Sequence, residues 1–229
     1  MKLGIMQPYF MPYIGYWQLM AAVDTYVVYD DVNYIKGGWV SRNNILLNGQ
    51  KHMFTITLNG ASPNKLFNEI TIKDDFKKFR RLIESAYRKA PYYNDIVELL
   101  EKIYSYEDKT LGSFMMNSFQ VILDYLGIQT KLILSSTINK DNSLKGAEKV
   151  KHICHILNAN EYYNTIAGEE LYDKSDFEQD NIELYFLQPI LQEYPQFKNG
   201  FVSGLSIIDV LMFNNPNEIN AILKKYSIV

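Results

Sequence analysis

The chain has 229 residues, of which 47% are hydrophobic and 21% charged; this fits one large α/β domain and excludes a disordered or fibrous protein. Its 23 basic and 26 acidic residues give a net charge of -3, which argues against a nucleic-acid partner. The sequence has no apolar run of about 20 residues and no signal-peptide pattern, so we expect no membrane insertion and a cytoplasmic protein. The single cysteine, Cys154, excludes an internal disulfide and a multi-cysteine zinc site.

The amino-terminal segment predicts a β-loop-α-β unit. Lys2 to Met6 is a short apolar run, and it ends at Gln7-Pro8 because proline cannot donate a hydrogen bond to a strand ladder. Tyr13 to Val23 carries its apolar residues mostly on one helical face, and Thr25 to Tyr29 predicts a second strand. This order predicts a parallel, right-handed crossover.

The middle of the chain predicts a hairpin followed by helices. Asn48-Gly49 is a strong hairpin signal, and we expect residues 45–72 to form antiparallel strands added to the sheet. Residues 75–127 predict a helical insert or subdomain. Its predicted helices are Asp75 to Lys89, Tyr92 to Tyr104 and Thr110 to Tyr125.

After this insert, strands and helices alternate again. Strands are predicted at Gln129 to Leu134, Glu161 to Thr165 and Leu184 to Leu187, and helices at Lys145 to Leu157, Leu205 to Phe213 and Pro216 to Tyr226. The predicted fold is therefore a single α/β domain over residues 1–229, with an open, mostly parallel sheet and the helical insert at 75–127.

The first candidate ligand-binding cluster lies between the first strand and helix. Two prolines stiffen this loop, and Gly15 in the first helical turn permits close approach of a ligand to the backbone. Unpaired N–H groups at the start of the helix favour an anion. The candidate residues are Gln7, Tyr9, Tyr13, Gly15 and Tyr16. The alternative is an aromatic turn that only packs over the sheet edge.

Two adjacent carboxylates, Asp30 and Asp31, follow the second predicted strand. Open parallel sheets bind their ligands at this edge. Both residues are candidate catalytic groups, because a carboxylate there could chelate a cation, bind sugar hydroxyls or act as a general base. Adjacent residues of a strand lie on opposite faces, so the two need not act together. The alternative is that they cap a turn or helix.

The polar segment after these acids is typical of a loop that covers a ligand. It contains Gly37-Gly38 and then Trp39, Arg42 and Asn43, which are candidate ligand-binding residues. Arg42 could bind phosphate or carboxylate through its planar fork. The alternative for Arg42 is an exposed surface charge.

One further candidate lies near the carboxyl terminus. Ser206 could cap a helix, and Asp209 could complete a capping box or point into a cleft; Asp209 is included among the candidate ligand-binding residues. The two histidines that flank Cys154 do not have the spacing of a zinc enzyme. The sequence therefore assigns no residue as a metal ligand and identifies no cofactor.

Several segments resemble the WbqC-like family of bacterial proteins. They are Ile5 to Tyr16, Tyr29 to Val32, Tyr34 to Trp39 with Arg42-Asn43, and Leu205 to Asp209. Together these segments span nearly the whole chain. The resemblance implies an association with surface-polysaccharide or O-antigen gene clusters.

The opening also distantly resembles the HIGH-type nucleotidyltransferases, in which a His-x-Gly-His helix start binds the phosphates of a nucleotide. Here Tyr13-Ile14-Gly15-Tyr16 keeps only the glycine. Tyrosine can donate a hydrogen bond to phosphate but cannot supply the charge of an imidazolium. The resemblance therefore implies a fold and an anion site more than ordinary adenylyl transfer.

These observations predict a sugar-modifying group-transfer enzyme of surface-polysaccharide biosynthesis that acts on a nucleotide-linked or amino sugar. Asp30 or Asp31 would bind or deprotonate a hydroxyl or amine, and Arg42 would hold a phosphate or carboxylate. The alternative is a non-catalytic sugar- or nucleotide-binding accessory protein of the same pathway. The lack of an identifiable Ser, Cys or His nucleophile favours binding, and the acidic pair with its loop favours catalysis, so the sequence leaves open whether the chain is an enzyme.

Overall fold

The computed structural model describes residues 1–198 and 200–229 as strands and helices in alternation. The strands are β1 (Lys2–Met6), β2 (Thr25–Val28), β3 (Arg42–Leu47), β4 (Gln50–Thr55), β5 (Leu58–Asn59), β6 (Thr71–Ile72), β7 (Lys131–Leu134), β8 (Glu161–Thr165), β9 (Glu183–Pro189) and β10 (Tyr226–Ile228). The α-helices are α1 (Ile14–Ala22), α2 (Lys77–Tyr87), α3 (Tyr93–Tyr104), α4 (Leu111–Leu126), α5 (Gly146–Ile156), α6 (Lys174–Glu178), α7 (Ile207–Phe213) and α8 (Pro216–Leu223).

Six of the strands form an open central sheet in the order β10-β9-β8-β1-β2-β7. β7, β2, β1, β8 and β9 are parallel, and β10 pairs antiparallel with β9 at one edge. The predicted open, mostly parallel sheet that begins with a β-loop-α-β unit is confirmed. The chain starts in the middle of the sheet, builds outward to β7 and then crosses to β8, which is the arrangement of doubly wound folds. The distant resemblance to HIGH-type enzymes stays a prediction.

The two faces of the sheet are covered by different helices. Tyr26 and Val28 belong to a large core that includes residues of α1, α4, α7 and α8, whereas Val27 belongs to a smaller core with residues of α5 and α6. This alternation follows from the period of two in a strand. α4, the last helix of the predicted insert, packs against β7 and is the last helix of the connection between β2 and β7.

The hairpin of β3 and β4 is a separate two-stranded sheet. The turn is as predicted, because Asn48 and Gly49 both have positive φ, at 52° and 75°, which the tight hairpin turn requires. The expectation that residues 45–72 add strands to the central sheet is wrong. β3 buries Ile45 and packs against α2 and α7, so that its apolar side faces helices beside the sheet.

The carboxyl-terminal segment also differs from the prediction. The last helix ends at Leu223, three residues before the predicted boundary at Tyr226, and Tyr226–Ile228 forms the edge strand β10. The Gln18 side chain fixes this end of the chain on α1, because it donates hydrogen bonds of 3.1 and 2.8 Å to the carbonyls of Ile222 and Lys225. In the part of the chain that the structure describes, no helix has the length and apolar character needed to cross a bilayer.

Candidate functional site

A cleft of about 580 Å³ lies at the carboxyl ends of β2 and β7. This is the edge at which open parallel sheets bind ligands, and the volume is in the usual range for a small-molecule site. The residues that line the cleft come from the segment after β2, the 3₁₀ turn Phe67–Glu69 with the residue before it, the turn after β7, and the start of α5 with the residues before it. They are Tyr29, Asp31, Val32, Asn33, Leu66, Asn68, Ser136, Asn142, Leu144, Lys145, Gly146 and Lys149.

Asp31 lines this cleft and is paired with two lysines, Lys140 and Lys149, of which Lys149 also lines the cleft. Its Oδ2 lies 2.7 Å from Lys140 Nζ and 3.3 Å from Lys149 Nζ. The three side chains are only 9%, 1% and 8% exposed, for Asp31, Lys140 and Lys149 respectively. Since two ammonium groups share one carboxylate, this buried group carries an excess positive charge. An anionic ligand in the cleft would offset that charge.

The protonation of Asp31 follows from these contacts. Burial alone would raise the pKa of the Asp31 carboxyl, but the hydrogen bond from Lys140 and the charges of Lys140 and Lys149 outweigh burial and lower this pKa below its ordinary value. Lys149 is further fixed by the Tyr29 ring, whose centroid lies 5.3 Å from Nζ. Asp31 is therefore an ionised group held in a defined position.

Asp30 has different partners from Asp31. One carboxylate oxygen accepts a 2.8 Å hydrogen bond from the Ser136 backbone, and the other accepts a 2.7 Å bond from the Ser136 hydroxyl. Asp30 is buried against α4 at Gly112, where an added Cβ would lie 2.6 Å from the Asp30 Cβ. Asp30 thus joins the end of β2 to the turn after β7. Asp30 and Asp31 have separate partners, so they are not arranged to bind one ligand together.

The first turn of α5 borders the same cleft. Lys145 is the N-cap residue of this helix and makes no side-chain capping bond, and both Lys145 and Gly146 line the cleft. The first N–H groups of a helix have no partner within it and favour an anion. The one acid of this turn, Glu148, is paired with Lys151 at 2.7 Å. The cleft therefore combines a helix start with two lysines in its lining.

A second hollow, of about 170 Å³, lies beside the loop between β1 and α1. Its lining residues are Tyr9, Pro12, Tyr13, Trp39, Asn43, Asn44 and Gly204. The structure thus brings together four of the candidate residues, Tyr9, Tyr13, Trp39 and Asn43. The cleft and this hollow share no lining residue, so the sequence-predicted candidates divide between two places.

Arg42 lies between the loop and the hairpin. Its guanidinium lies 5.6 Å from the centroid of the Trp39 ring and donates a hydrogen bond to the Gly37 carbonyl. These contacts hold the indole and the loop against β3. In this structure Arg42 fixes its own loop, and its binding of a phosphate or carboxylate stays a prediction.

The other three candidates of the amino-terminal cluster, Gln7, Gly15 and Tyr16, are not among the residues that line the hollow. Tyr16 is buried, its hydroxyl donates a 2.7 Å hydrogen bond to the Gln7 carbonyl, and burial raises the pKa of its phenol. At Gly15, an added Cβ would lie 2.6 Å from Pro189 Cγ and from the Tyr13 ring. The space beside Gly15 is therefore filled by the protein's own side chains.

Asp209 lies in the interior, and its side chain shares no hydrogen-bond partner with the other candidate residues. Its carboxylate accepts hydrogen bonds from the hydroxyls of Tyr87 and Tyr194, at 2.8 and 2.7 Å, and from Gln196 Nε2 at 2.6 Å. Burial raises the pKa of the Asp209 carboxyl, although these hydrogen bonds oppose the shift. Ser206 caps α7 as expected, since its Oγ accepts from the Ile208 backbone. The expected capping-box role of Asp209 is wrong, because a buried network occupies both its oxygens.

Sequence comparison extends over both the cleft and the hollow. The model of the WbqC-like protein family matches residues 7–221. Among curated proteins, Uncharacterized protein Rv1507c of Mycobacterium tuberculosis is 28% identical over 218 residues, which cover 93% of each chain. No solved structure matches the chain.

Proposed function

The chain belongs to the WbqC-like protein family, and we propose that it is a cytoplasmic, sugar-modifying group-transfer enzyme of surface-polysaccharide biosynthesis. Its substrate would be a nucleotide-linked or amino sugar bound in the cleft at the ends of β2 and β7. The observation that carries this proposal is the buried group of Asp31, Lys140 and Lys149, in which two cations share one carboxylate.

The charges of the cleft favour a phosphate-bearing ligand. Lys145 and Lys149 line it together with the start of α5, and both features stabilise a phosphate. The amide side chains of Asn68 and Asn142 line the cleft and can bind hydroxyl groups. Asn33 also lines it, with its amide nitrogen donating to the Pro63 carbonyl at 2.8 Å. A nucleoside diphosphate sugar supplies phosphates and hydroxyls in one molecule.

Asp31 would hold the reacting hydroxyl or amine of the sugar. Because its pKa is lowered, Asp31 is ionised near neutral pH and accepts a hydrogen bond or faces an ammonium group. A carboxylate with a lowered pKa is a weak general base, so we assign Asp31 to binding and orienting the acceptor group.

A non-catalytic binding protein of the same pathway is the second candidate. The cleft lining favours this candidate because it contains no activated nucleophile. Its serine, Ser136, donates its hydroxyl hydrogen to Asp30, and the lining contains no histidine that could act as a base. A binding protein needs the charged cleft but no activated nucleophile.

The test is titration calorimetry with uridine diphosphate, uridine diphosphate glucose and guanosine diphosphate mannose. Replacing Lys149 by Met should weaken the binding of the preferred probe by about 10- to 100-fold, the equivalent of one charged hydrogen bond. The control is Lys131→Met, since Lys131 is exposed at the opposite end of β7. Equal affinity of wild type and Lys149→Met, or no binding of any probe, would contradict the proposed site.

Mass spectrometry of the recovered sugar separates the two candidate functions. A bacterial extract depleted of macromolecules supplies small-molecule group donors. If the protein is an enzyme, the nucleotide sugar incubated with it and this extract changes in mass. A binding protein returns the nucleotide sugar unchanged, even when calorimetry shows tight binding.

A further inference from the structure

The hollow beside the β1–α1 loop has walls of a particular chemistry. Its side chains are three aromatic rings, a proline and two amides, from Tyr9, Tyr13, Trp39, Pro12, Asn43 and Asn44. None of these groups carries a charge near neutral pH, and burial raises the pKa of both tyrosines further. The lining therefore offers flat apolar faces and hydrogen-bonding groups to a ligand. The charges nearest to it are the Arg42 guanidinium, which lies beside Trp39, and the Lys51 ammonium, 3.5 Å from the position that a Gly204 Cβ would take.

The most exposed of these rings is held in place. Trp39 is 49% exposed, yet the Arg42 guanidinium lies against it and also bonds to the Gly37 carbonyl. Asn43 is equally fixed, because its amide donates to the Met11 carbonyl and accepts from the Asn44 backbone, both at 2.8 Å. An exposed indole with a fixed position is a preorganised surface for stacking.

Size and polarity restrict the ligand. A volume of about 170 Å³ is below the usual range of about 300–1,000 Å³ for drug-sized ligands, so a single ring fits and a nucleotide does not. The lining itself supplies no charged group to pair with a phosphate or a carboxylate. A pyranose ring has an apolar C–H face for the aromatic rings and hydroxyl groups for the amides and phenols.

We infer that this hollow is a binding subsite for a single uncharged pyranose ring, with Trp39 and Tyr13 as its stacking residues. Residues 31–39 connect the two places, because Asp31 lines the cleft and Trp39 lines the hollow. That the bound ring is the acceptor of group transfer rests on the proposed function, whereas the binding of a pyranose does not.

The two tryptophans of the chain make this subsite measurable. Trp17 is fully buried and Trp39 is exposed, so an added quencher such as acrylamide acts mainly on Trp39. Titration with N-acetylglucosamine, N-acetylgalactosamine and mannose should give a saturable change in tryptophan emission for at least one sugar, with protection from acrylamide. Trp39→Phe should abolish the change, since only Trp17 then emits.

Two further variants separate binding from a general effect on the loop. Tyr13→Ala should weaken the binding of the sugar by about two- to tenfold, the equivalent of one aromatic contact. Ile35→Ala is the matched control, because Ile35 is exposed on the same loop and is not among the residues that line the hollow. It should bind the sugar as the wild type does.

The outcomes distinguish this inference from the proposed function. Calorimetry with uridine diphosphate reports on the cleft, and Trp39 emission reports on the hollow. If the sugars change the emission but uridine diphosphate does not bind, the subsite stands and the proposed function fails. If none of the sugars changes the emission or protects Trp39, or if Tyr13→Ala binds them as well as Ile35→Ala does, the inference is overturned.

Discussion

The Lys140 ammonium and the Asp31 carboxylate form an ion pair that the protein encloses, with 2.7 Å between Nζ and Oδ2. Asp31 follows β2 and Lys140 follows β7, so the pair joins the ends of two neighbouring strands. Lys149 of α5 contacts the same carboxylate oxygen. Three elements thus meet at one buried carboxylate, and the cleft depends on it for its shape and its charge.

Replacing Lys140 by Met should lower the free energy of unfolding by about 1.5–3 kcal/mol, the range for a charged hydrogen bond. The loss stays below that of a fully broken buried pair because Lys149 still faces Asp31. Urea denaturation of the variant measures the loss. Lys36→Met is the control, since Lys36 is exposed in the loop after Asp31; equal stabilities of the two variants would show that the ion pair contributes nothing.

The shifted pKa values of Asp209 and Asp31 predict opposite dependences of stability on pH. The pKa of Asp209 is raised in the folded protein, so the folded state holds its proton more strongly than the unfolded state does. The stability that this proton contributes is present at low pH and is lost as the pH rises from the ordinary Asp value of 3.8 through the raised folded value. The free-energy difference between wild type and Asp209→Asn should therefore shift against the wild type over this range, as urea denaturation at successive pH values measures.

Asp31→Asn supplies the contrast. The pKa of Asp31 is lowered, so its stabilising contribution is present above the ordinary Asp value and is lost as the pH falls through the lowered value. Relative to Asp31→Asn, the wild type should lose stability on acidification. Slopes of the same sign for the two variants would contradict the assigned pKa directions.

Gly15→Ala should destabilise the protein by about 1–3 kcal/mol, the usual cost of overpacking. An added Cβ would meet Pro189 and the Tyr13 ring at 2.6 Å, and Pro189 belongs to a strand that cannot easily withdraw. Thermal unfolding measures the effect. The control is Gly38→Ala, where the nearest atom is the Ile35 side chain at 3.3 Å in an exposed loop. A fully stable Gly15→Ala variant would instead favour the original interpretation of Gly15 as a point of ligand approach.

Cys154 should be unreactive in the folded protein. It is fully buried, and burial raises the pKa of its thiol to about 12, so the reactive thiolate is scarce and inaccessible. An aromatic disulfide reagent that releases a coloured thiolate measures this reactivity. It should label the native chain only at the rate of unfolding and should label one thiol per chain at once in denaturant. Rapid labelling of the native protein would contradict the buried position.

The sequence predicts those elements whose signals are local. β1 and β8 have the predicted bounds, and α1 differs from its prediction by one residue at each end. The apolar pattern marks all three elements, and Pro8 and Pro12 mark the end of β1 and the start of α1. The hairpin turn is predicted for the same reason. Whether the hairpin joins the central sheet depends on contacts with α2 and α7, which are distant in sequence and leave no local pattern.

The candidate site shows the same division. The end of β2 is a predictable place for a ligand, since parallel strands open there, and Asp31 is found in the lining of a cleft. Lys140 and Lys149 are not predictable, because lysine is abundant throughout the chain and these two meet Asp31 only through folding. The start of α5 is predictable from local sequence, since the helix predicted at Lys145 to Leu157 differs from α5 by one residue at each end. Trp39 and Arg42 follow Asp31 closely in sequence, yet they contact each other beside a different hollow.

The position of β1 in the sheet has a consequence for folding during translation. β1 leaves the ribosome before β2 and long before β8, and it pairs with β2 on one side and with β8 on the other. The second side therefore stays open until translation has passed Thr165, the last residue of β8. During that interval a nascent chain carries a bare strand edge in its centre, the kind of surface that chaperones shield and that neighbouring polypeptides capture.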